Sequence, residues 1–138
     1  MVVKQIHHFA LVVQDVDASV GWYEDMLGFK LERRFGFLEA GVEIAHILTP
    51  SGVRIELIEQ AGSESGPDEG KDAFGALYTR GAKHIGLLVD DIEAVMEELK
   101  AKGADVVHEV TAVEPAGVRN CWIRDNSGNL IEFNRWLE

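Results

Sequence analysis

The residues of this sequence that could do chemistry are two histidines and two glutamates that recur at one spacing. Glu56 follows His8 by 48 residues, and Glu132 follows His84 by the same 48 residues. A shift of 76 positions places the first pair on the second, so the chain contains two related halves. The flanking identities under that shift are Leu11 with Leu87, Val13 with Val89, Asp15 with Asp91, Ser51 with Ser127 and Gly52 with Gly128.

This set of side chains predicts a metal centre. Two imidazoles and two carboxylates suit one borderline divalent cation, of which Ni²⁺, Co²⁺, Zn²⁺, Mn²⁺ and Fe²⁺ are the candidates. Without a cation, each inward-facing carboxylate would incur a desolvation cost on the order of several kcal/mol. Six-coordination by four protein ligands would leave two positions for water or for substrate oxygens. We therefore expect His8, Glu56, His84 and Glu132 to hold one metal ion.

The chemistry that such a centre favours is proton abstraction next to a carbonyl group. A cation on the carbonyl oxygen stabilises the developing enolate, and a carboxylate beside it takes the proton. Glu132 and Glu56 are the candidate bases. Two bases on opposite faces of a substrate would give epimerisation, and a single base that returns the proton to a neighbouring carbon would give isomerisation. The expected partner is a small carbonyl compound.

The elements that must position these residues are predicted to be the same in both halves. A strand at 4–13, a helix from the Asp15 cap to Gly28 and strands near 29–36, 42–49 and 53–60 make up a first module of about residues 1–60. A strand at 83–89, a helix from Asp91 to Gly103 and strands near 104–110, 118–124 and 129–136 make up a second module of about residues 82–138. The Gly-rich and acidic stretch 61–81 reads as a linker with a short helical turn around 73–78.

Strand alternation assigns these residues to faces. Each of the four candidate ligands points away from the more apolar face of its strand, which the helices should cover. Arg54 and Gln60 share the face of Glu56, and Asn134 shares that of Glu132, so these three are candidate substrate contacts. His7, His46 and His108 have no partner under the shift of 76, and we interpret them as structural or surface residues.

Composition narrows the classes of function. The net charge of −11 disfavours nucleic acids and anionic membranes, which are bound through Lys and Arg. No apolar stretch approaches the roughly 20 residues of a membrane span, and the first residues lack the zones of a signal peptide, so we expect a cytoplasmic protein. Cys121 is the only cysteine, which excludes an internal disulfide and a thiolate cluster.

Four segments also carry a family resemblance: IHHFALVVQDVDASVGWYEDMLGFKL, VRIELIEQ, KHIGLLVDDIEAVMEELKAKGADVV and DNSGNLIEF. They closely resemble the vicinal oxygen chelate superfamily, which includes glyoxalase I, methylmalonyl-CoA epimerase, extradiol dioxygenases and antibiotic-resistance proteins. The resemblance implies an α+β fold of two tandem βαβββ modules, with a cupped mixed sheet around a metal site and helices on its outer face. It also implies a homodimer, and its metal positions match the four ligands already named.

The resemblance leaves the reaction open. Four ligands are typical of glyoxalase I and the epimerase, whereas three are typical of extradiol dioxygenases, so a metal-dependent lyase, isomerase or epimerase is the first expectation. Glyoxalase I places an arginine four residues after its first ligand to bind glutathione, and this chain has Val12 there. The alternatives are an Fe(II) extradiol-type dioxygenase and a non-catalytic protein that binds an antibiotic or another small molecule.

Overall fold

The computed structural model describes all residues 1–138 and divides into two compact units, Met1–Glu64 and Ser65–Glu138. The first unit contains β1 (Phe9–Val12), α1 (Val16–Leu27), β2 (Lys30–Phe37), β3 (Val42–Leu48) and β4 (Arg54–Gln60). The second contains β5 (His84–Leu88), α2 (Ile92–Ala101), β6 (Asp105–Val113), β7 (Val118–Arg124) and β8 (Leu130–Trp136). The order strand, helix and three strands is therefore the same in both, as the sequence predicts.

Each unit forms one four-stranded mixed sheet of the same topology. The strand order is β1-β4-β3-β2 in the first sheet and β5-β8-β7-β6 in the second. In each sheet the strand before the helix pairs in parallel with the last strand of the unit, and the other neighbours are antiparallel. The parallel pairing places β1, which begins one residue after His8, beside β4, which contains Glu56. It likewise places β5, which begins at His84, beside β8, which contains Glu132. The predicted α+β class with tandem βαβββ modules is confirmed.

The helices begin at the aspartates that the repeat singles out. Asp15 Oδ1 accepts a hydrogen bond from Ala18 N at 2.9 Å, and Asp91 Oδ1 accepts one from Ala94 N at 3.0 Å. These bonds satisfy one of the free N–H groups in the first turn of each helix. Helix α1 ends at Gly28, whose φ of 68° is the left-handed conformation that closes a helix without a Cβ penalty.

One face of each sheet is buried under its helix. Helix α1 contacts β2, β3 and β4 and buries Val16 and Tyr23, while α2 contacts β6, β7 and β8 and buries Ile92, Met96 and Leu99. The closing strands bury alternate residues on that side, namely Ile55, Leu57, Ile131 and Phe133. The glutamates between them, Glu56 and Glu132, therefore point to the opposite face.

The first strand is shorter than the sequence predicts. Its ladder with β4 begins where Phe9 pairs with Ile55, and residues 1–8 have no strand partner in the first unit. Residues 4–8 run directly into the apolar segment of β1 and so were predicted as part of it, but a strand exists only where a neighbour accepts its hydrogen bonds. His8 consequently lies one residue before β1, whereas His84 is the first residue of β5.

The segment between β4 and β5 has one regular element, a 3-10 helical turn at Gly75–Tyr78, close to the predicted turn around 73–78. Neither helix of the protein is long and apolar enough to cross a membrane.

Candidate metal centre

Each unit brings one candidate histidine and one candidate glutamate together. In the first unit, His8 Nε2 lies 3.7 Å from Glu56 Oε1. In the second, His84 Nε2 lies 3.3 Å from Glu132 Oε2. The exposed fractions of the side chains are the same in both units, 34% for each histidine and 17% for each glutamate. The repeat in sequence is thus a repeat in side-chain environment.

The two separations suit two ligands of one cation. Donor atoms held at about 2.0–2.2 Å from a metal ion, at tetrahedral or octahedral angles, lie about 3.0–3.5 Å apart. The second pair falls within this range, and the first needs a movement of only a few tenths of an ångström. The chain contains no group of three or more His, Cys, Asp or Glu side chains arranged to hold a metal ion. The structure therefore presents two separate His–Glu pairs, one in each unit.

In the first unit, Glu56 is also bound by a histidine that the repeat does not mark. His46 lies directly opposite Glu56 in the ladder between β3 and β4, and its Nε2 is 2.6 Å from Glu56 Oε2. An ionised carboxylate only accepts hydrogen bonds, so the imidazole N–H is the donor. The ring of His46 stacks with that of His8 at a centroid distance of 6.0 Å. One residue therefore contacts both members of the pair.

In the second unit, two residues make the corresponding contacts. Asn120 Nδ2 donates to Glu132 Oε1 at 2.8 Å. Trp122 packs edge-on against the ring of His84, with centroids 4.6 Å apart. Both residues lie on the same face of β7, because side chains two apart in a strand point the same way.

Two neighbouring residues, His7 and Arg54, lie close to His8. Its Nδ1 lies 2.8 Å from Nδ1 of His7, so one of these two nitrogens donates to the other. Arg54 contacts His7 as well, because its Nη1 donates a hydrogen bond to the backbone oxygen of His7 at 3.3 Å. A histidine that binds metal through Nε2 commonly has such a partner at Nδ1, which fixes the orientation of the ring.

The three candidate substrate contacts have different surroundings. Arg54 forms a two-point ion pair with Glu32, and this hydrogen bond lowers the pKa of the Glu32 carboxyl and raises that of the guanidinium. Gln60 Nε2 donates to Ala40 O at 3.0 Å and so ties the turn before β3 to β4. Asn134 lies beside the second pair, since a Cβ added to Gly86 would be 3.8 Å from Asn134 Nδ2 and 3.5 Å from Glu132 Oε2.

The structure adds His46, Asn120 and Trp122 to the residues around the two pairs. For His46, the signal was present in the sequence, because a hairpin centred on Ser51 places residue 46 opposite residue 56. Our interpretation of His46 as a structural or surface residue relied on its lack of a histidine partner at position 122. A comparison of the residues opposite Glu56 and Glu132 in the two predicted hairpins identifies both His46 and Trp122.

Comparison with known proteins gives one family. A model of the Glyoxalase/Bleomycin resistance protein/Dioxygenase superfamily matches residues 5–133. An uncharacterized protein of Bacillus subtilis, YwbC, is 34% identical over 132 residues, which are 94% of this chain and 96% of that protein. Lactoylglutathione lyase of Haemophilus influenzae is 32% identical, with 94% of this chain and 90% of that protein covered.

Two further matches extend the comparison. Human mitochondrial methylmalonyl-CoA epimerase is 24% identical over 95% of this chain and 73% of its own length. Among solved structures, a glyoxalase family protein of Bacillus cereus superposes with a TM-score of 0.77 at 26% identity and covers 100% of this chain and 97% of that one.

Proposed function

We propose, since this chain belongs to the Glyoxalase/Bleomycin resistance protein/Dioxygenase superfamily, that it is a divalent-metal-dependent isomerase, lyase or epimerase acting by proton abstraction next to a carbonyl group. In this proposal His8, Glu56, His84 and Glu132 are the metal ligands, supplied by one chain or by two. Ni²⁺, Co²⁺, Zn²⁺, Mn²⁺ and Fe²⁺ are the candidate ions.

The observation that carries the proposal is the repeated pair. Both units hold a histidine nitrogen within 3.7 Å of a glutamate oxygen, at equal exposure and on the sheet face opposite the helix. An ordinary surface ion pair contributes little to stability and gives no reason for the same geometry to occur twice. Two partly buried carboxylates, each beside an imidazole, form a donor set that a divalent cation would neutralise.

The bound cation would act as a Lewis acid that polarises a carbonyl oxygen of the substrate. The protein residues would supply the proton transfer. Glu132 and Glu56 are the candidate bases, and each has one carboxylate oxygen within hydrogen-bond distance of a donor, Asn120 or His46. Such a donor would hold the carboxylate in place and leave its other oxygen for the cation or for the substrate proton.

Substrate class follows from the same chemistry and from the relatives. The names of two relatives contain lactoylglutathione and methylmalonyl-CoA, and both compounds are thioesters with a carbon-bound proton next to the carbonyl group. We propose a small 2-oxo compound, hemithioacetal or 2-methyl thioester as the substrate. We also propose that the protein is a cytoplasmic homodimer, which light scattering would test for the purified chain.

Isotope exchange tests the proposal directly. The metal-loaded protein in D₂O, mixed with a panel of these compounds, should exchange a carbon-bound proton next to the carbonyl, and mass spectrometry or NMR should detect the deuterium. Chelation should abolish the exchange. Glu132→Gln should slow it on the order of 10² to 10⁴-fold, the usual contribution of a positioned base.

The controls separate this proposal from its alternatives. Glu109→Gln removes an exposed carboxylate that pairs with Lys100 and should leave exchange unchanged. Glu56→Gln should abolish racemisation in a two-base epimerase while one-sided exchange continues. Absence of exchange together with O₂ uptake on catechols would replace this proposal with an extradiol-type dioxygenase. Tight binding of an antibiotic without turnover would replace it with a binding protein.

A further inference from the structure

One strand position is occupied differently in the two units. His46 lies opposite Glu56 in the ladder between β3 and β4, and Trp122 lies opposite Glu132 in the ladder between β7 and β8. These positions are 76 residues apart, so they correspond under the repeat. The ligand pairs are alike in both units, but the residues that hold them differ.

Packing restricts the orientation of the His46 ring. His46 is 8% exposed and contacts two rings: it stacks with His8 and packs edge-on with Phe35 at a centroid distance of 5.1 Å. With its ring fixed by this packing, its N–H points at Glu56 Oε2 over 2.6 Å. Hydrogen bonds to an ionised carboxylate are about twice as strong as those between neutral groups.

In the second unit these two functions are separate. Trp122 packs on His84 and supplies no hydrogen bond to Glu132, which accepts from Asn120 instead. The residue that corresponds to Asn120 in the first unit is Ile44, which is buried and has no donor in its side chain. Glu56 therefore depends on His46 alone for the contact that Asn120 makes with Glu132.

We infer that His46 is a positioning residue that orients both His8 and Glu56 for the cation, a task that the second unit divides between Trp122 and Asn120. The inference rests on the proposed function, because it assigns His8 and Glu56 as ligands. Its consequence is an asymmetry: loss of His46 disturbs two ligands, whereas loss of Asn120 disturbs one. Partners of metal ligands typically contribute a factor of about 10 to 100 in metal affinity.

Metal titration of the metal-free protein tests this inference. Calorimetry with Co²⁺ should give a Kd that is about 10 to 100 times weaker for His46→Leu than for the unsubstituted protein, and a smaller loss for Asn120→Leu. His46→Gln keeps an N–H donor and should recover part of the affinity. Trp122→Phe keeps a ring against His84 and should bind nearly as the unsubstituted protein does.

Two further readouts separate positioning from general destabilisation. The visible absorption of bound Co²⁺ reports ligand geometry, so it should change for His46→Leu and return toward the original spectrum for His46→Gln. Thermal melting in the presence of a chelator should show whether the variants fold. If His46→Leu does not fold, His46→Phe takes its place, and the inference then requires His46→Gln to bind Co²⁺ more tightly than His46→Phe.

The failures are distinguishable. An unsubstituted protein that binds no divalent cation would overturn the proposed function. An unsubstituted protein that binds Co²⁺, with His46→Leu and Asn120→Leu equal in affinity or His46→Gln no better than His46→Leu, would overturn this inference and leave the proposed function standing.

Discussion

Gly86 lies directly opposite Glu132 in the parallel ladder between β5 and β8, and a Cβ at this position would come within 3.5 Å of Glu132 Oε2. That is an ordinary contact distance, so alanine fits there, while a branched side chain would occupy the space beside the carboxylate. We expect Gly86→Ala to retain metal binding and proton exchange, and Gly86→Val to reduce both. Calorimetry and the D₂O assay measure the two effects, and equal behaviour of the two variants would contradict the prediction.

Metal binding should stabilise the fold. A ligand that binds only the native state raises its stability, by about 2.7 kcal/mol when the free ligand is at 100 times its Kd. Scanning calorimetry should show a lower Tm after chelation and recovery on adding Co²⁺ or Ni²⁺. Glu56→Gln should shrink this response, and Glu43→Gln, which removes a carboxylate paired with Arg34, should preserve it. A chelator that has no effect on Tm of the metal-loaded protein would count against a site linked to folding.

Two glycines of the first unit should respond oppositely to alanine. A Cβ on Gly36 in β2 would lie 2.7 Å from the backbone oxygen of Val42, which the β2–β3 ladder holds in place, so Gly36→Ala should lower the free energy of unfolding by about 1–3 kcal/mol. A Cβ on Gly21 in α1 meets no atom within 4 Å, so Gly21→Ala should raise it by about 0.5–1 kcal/mol. Urea denaturation measures both free energies of unfolding. A destabilising Gly21→Ala would contradict the prediction, because it would mean that the added methyl group meets neighbouring atoms.

Cys121 should be unreactive in the folded protein. Burial raises the pKa of its thiol from 9.0 to about 11, and the charges of Glu109, Glu132 and Glu93 add to the shift. The thiolate is the reactive form, so alkylation at pH 8 should be slow in buffer and fast in denaturant. Rapid alkylation without denaturant would contradict the burial of this side chain.

The same shift predicts a pH dependence of stability. The folded state retains the thiol proton to higher pH than the unfolded state, so the contribution of Cys121 is complete below pH 9.0 and is lost as the pH rises toward about 11. Urea denaturation between these values should show a smaller decline for Cys121→Ala than for the unsubstituted protein. Parallel declines would mean that other groups account for the whole effect.

The sequence predicted the elements well where local signals and packing agree. Asp15 and Asp91 are strong helix starts, Gly28 is a strong helix end, and the alternation around Glu56 and Glu132 indicates which face of each closing strand is buried. The repeat reinforced each of these signals, because every element occurs twice in the chain. The predicted first strand was too long, because the end of a strand depends on where its neighbouring strand begins to pair with it. The local sequence pattern does not specify that position.

The surroundings of the candidate ligands were less predictable. His46 and Asn120 contact the glutamates across neighbouring strands. These contacts depend on the strand register and on which side chain of the neighbouring strand lies within hydrogen-bond distance of the carboxylate. Strand alternation alone leaves Arg54 free to contact a substrate, but Glu32 on β2, which is separated from β4 by β3, binds it in an ion pair. Sequence reveals that a side chain points into a given layer, whereas its partner there depends on distances between strands.

The repeated His–Glu pair bears on how such a chain arises by duplication. Under the proposed function, a half-length ancestor with one His–Glu pair would supply only two of the four ligands, so tight binding of a cation would require two molecules and would weaken on dilution. Joining two copies in one chain keeps both pairs in the same molecule at any dilution. Once fused, the copies no longer have to remain identical. The two halves would then orient the same type of His–Glu pair in different ways, through His46 in the first and through Asn120 and Trp122 in the second. This difference would have arisen by divergence after duplication.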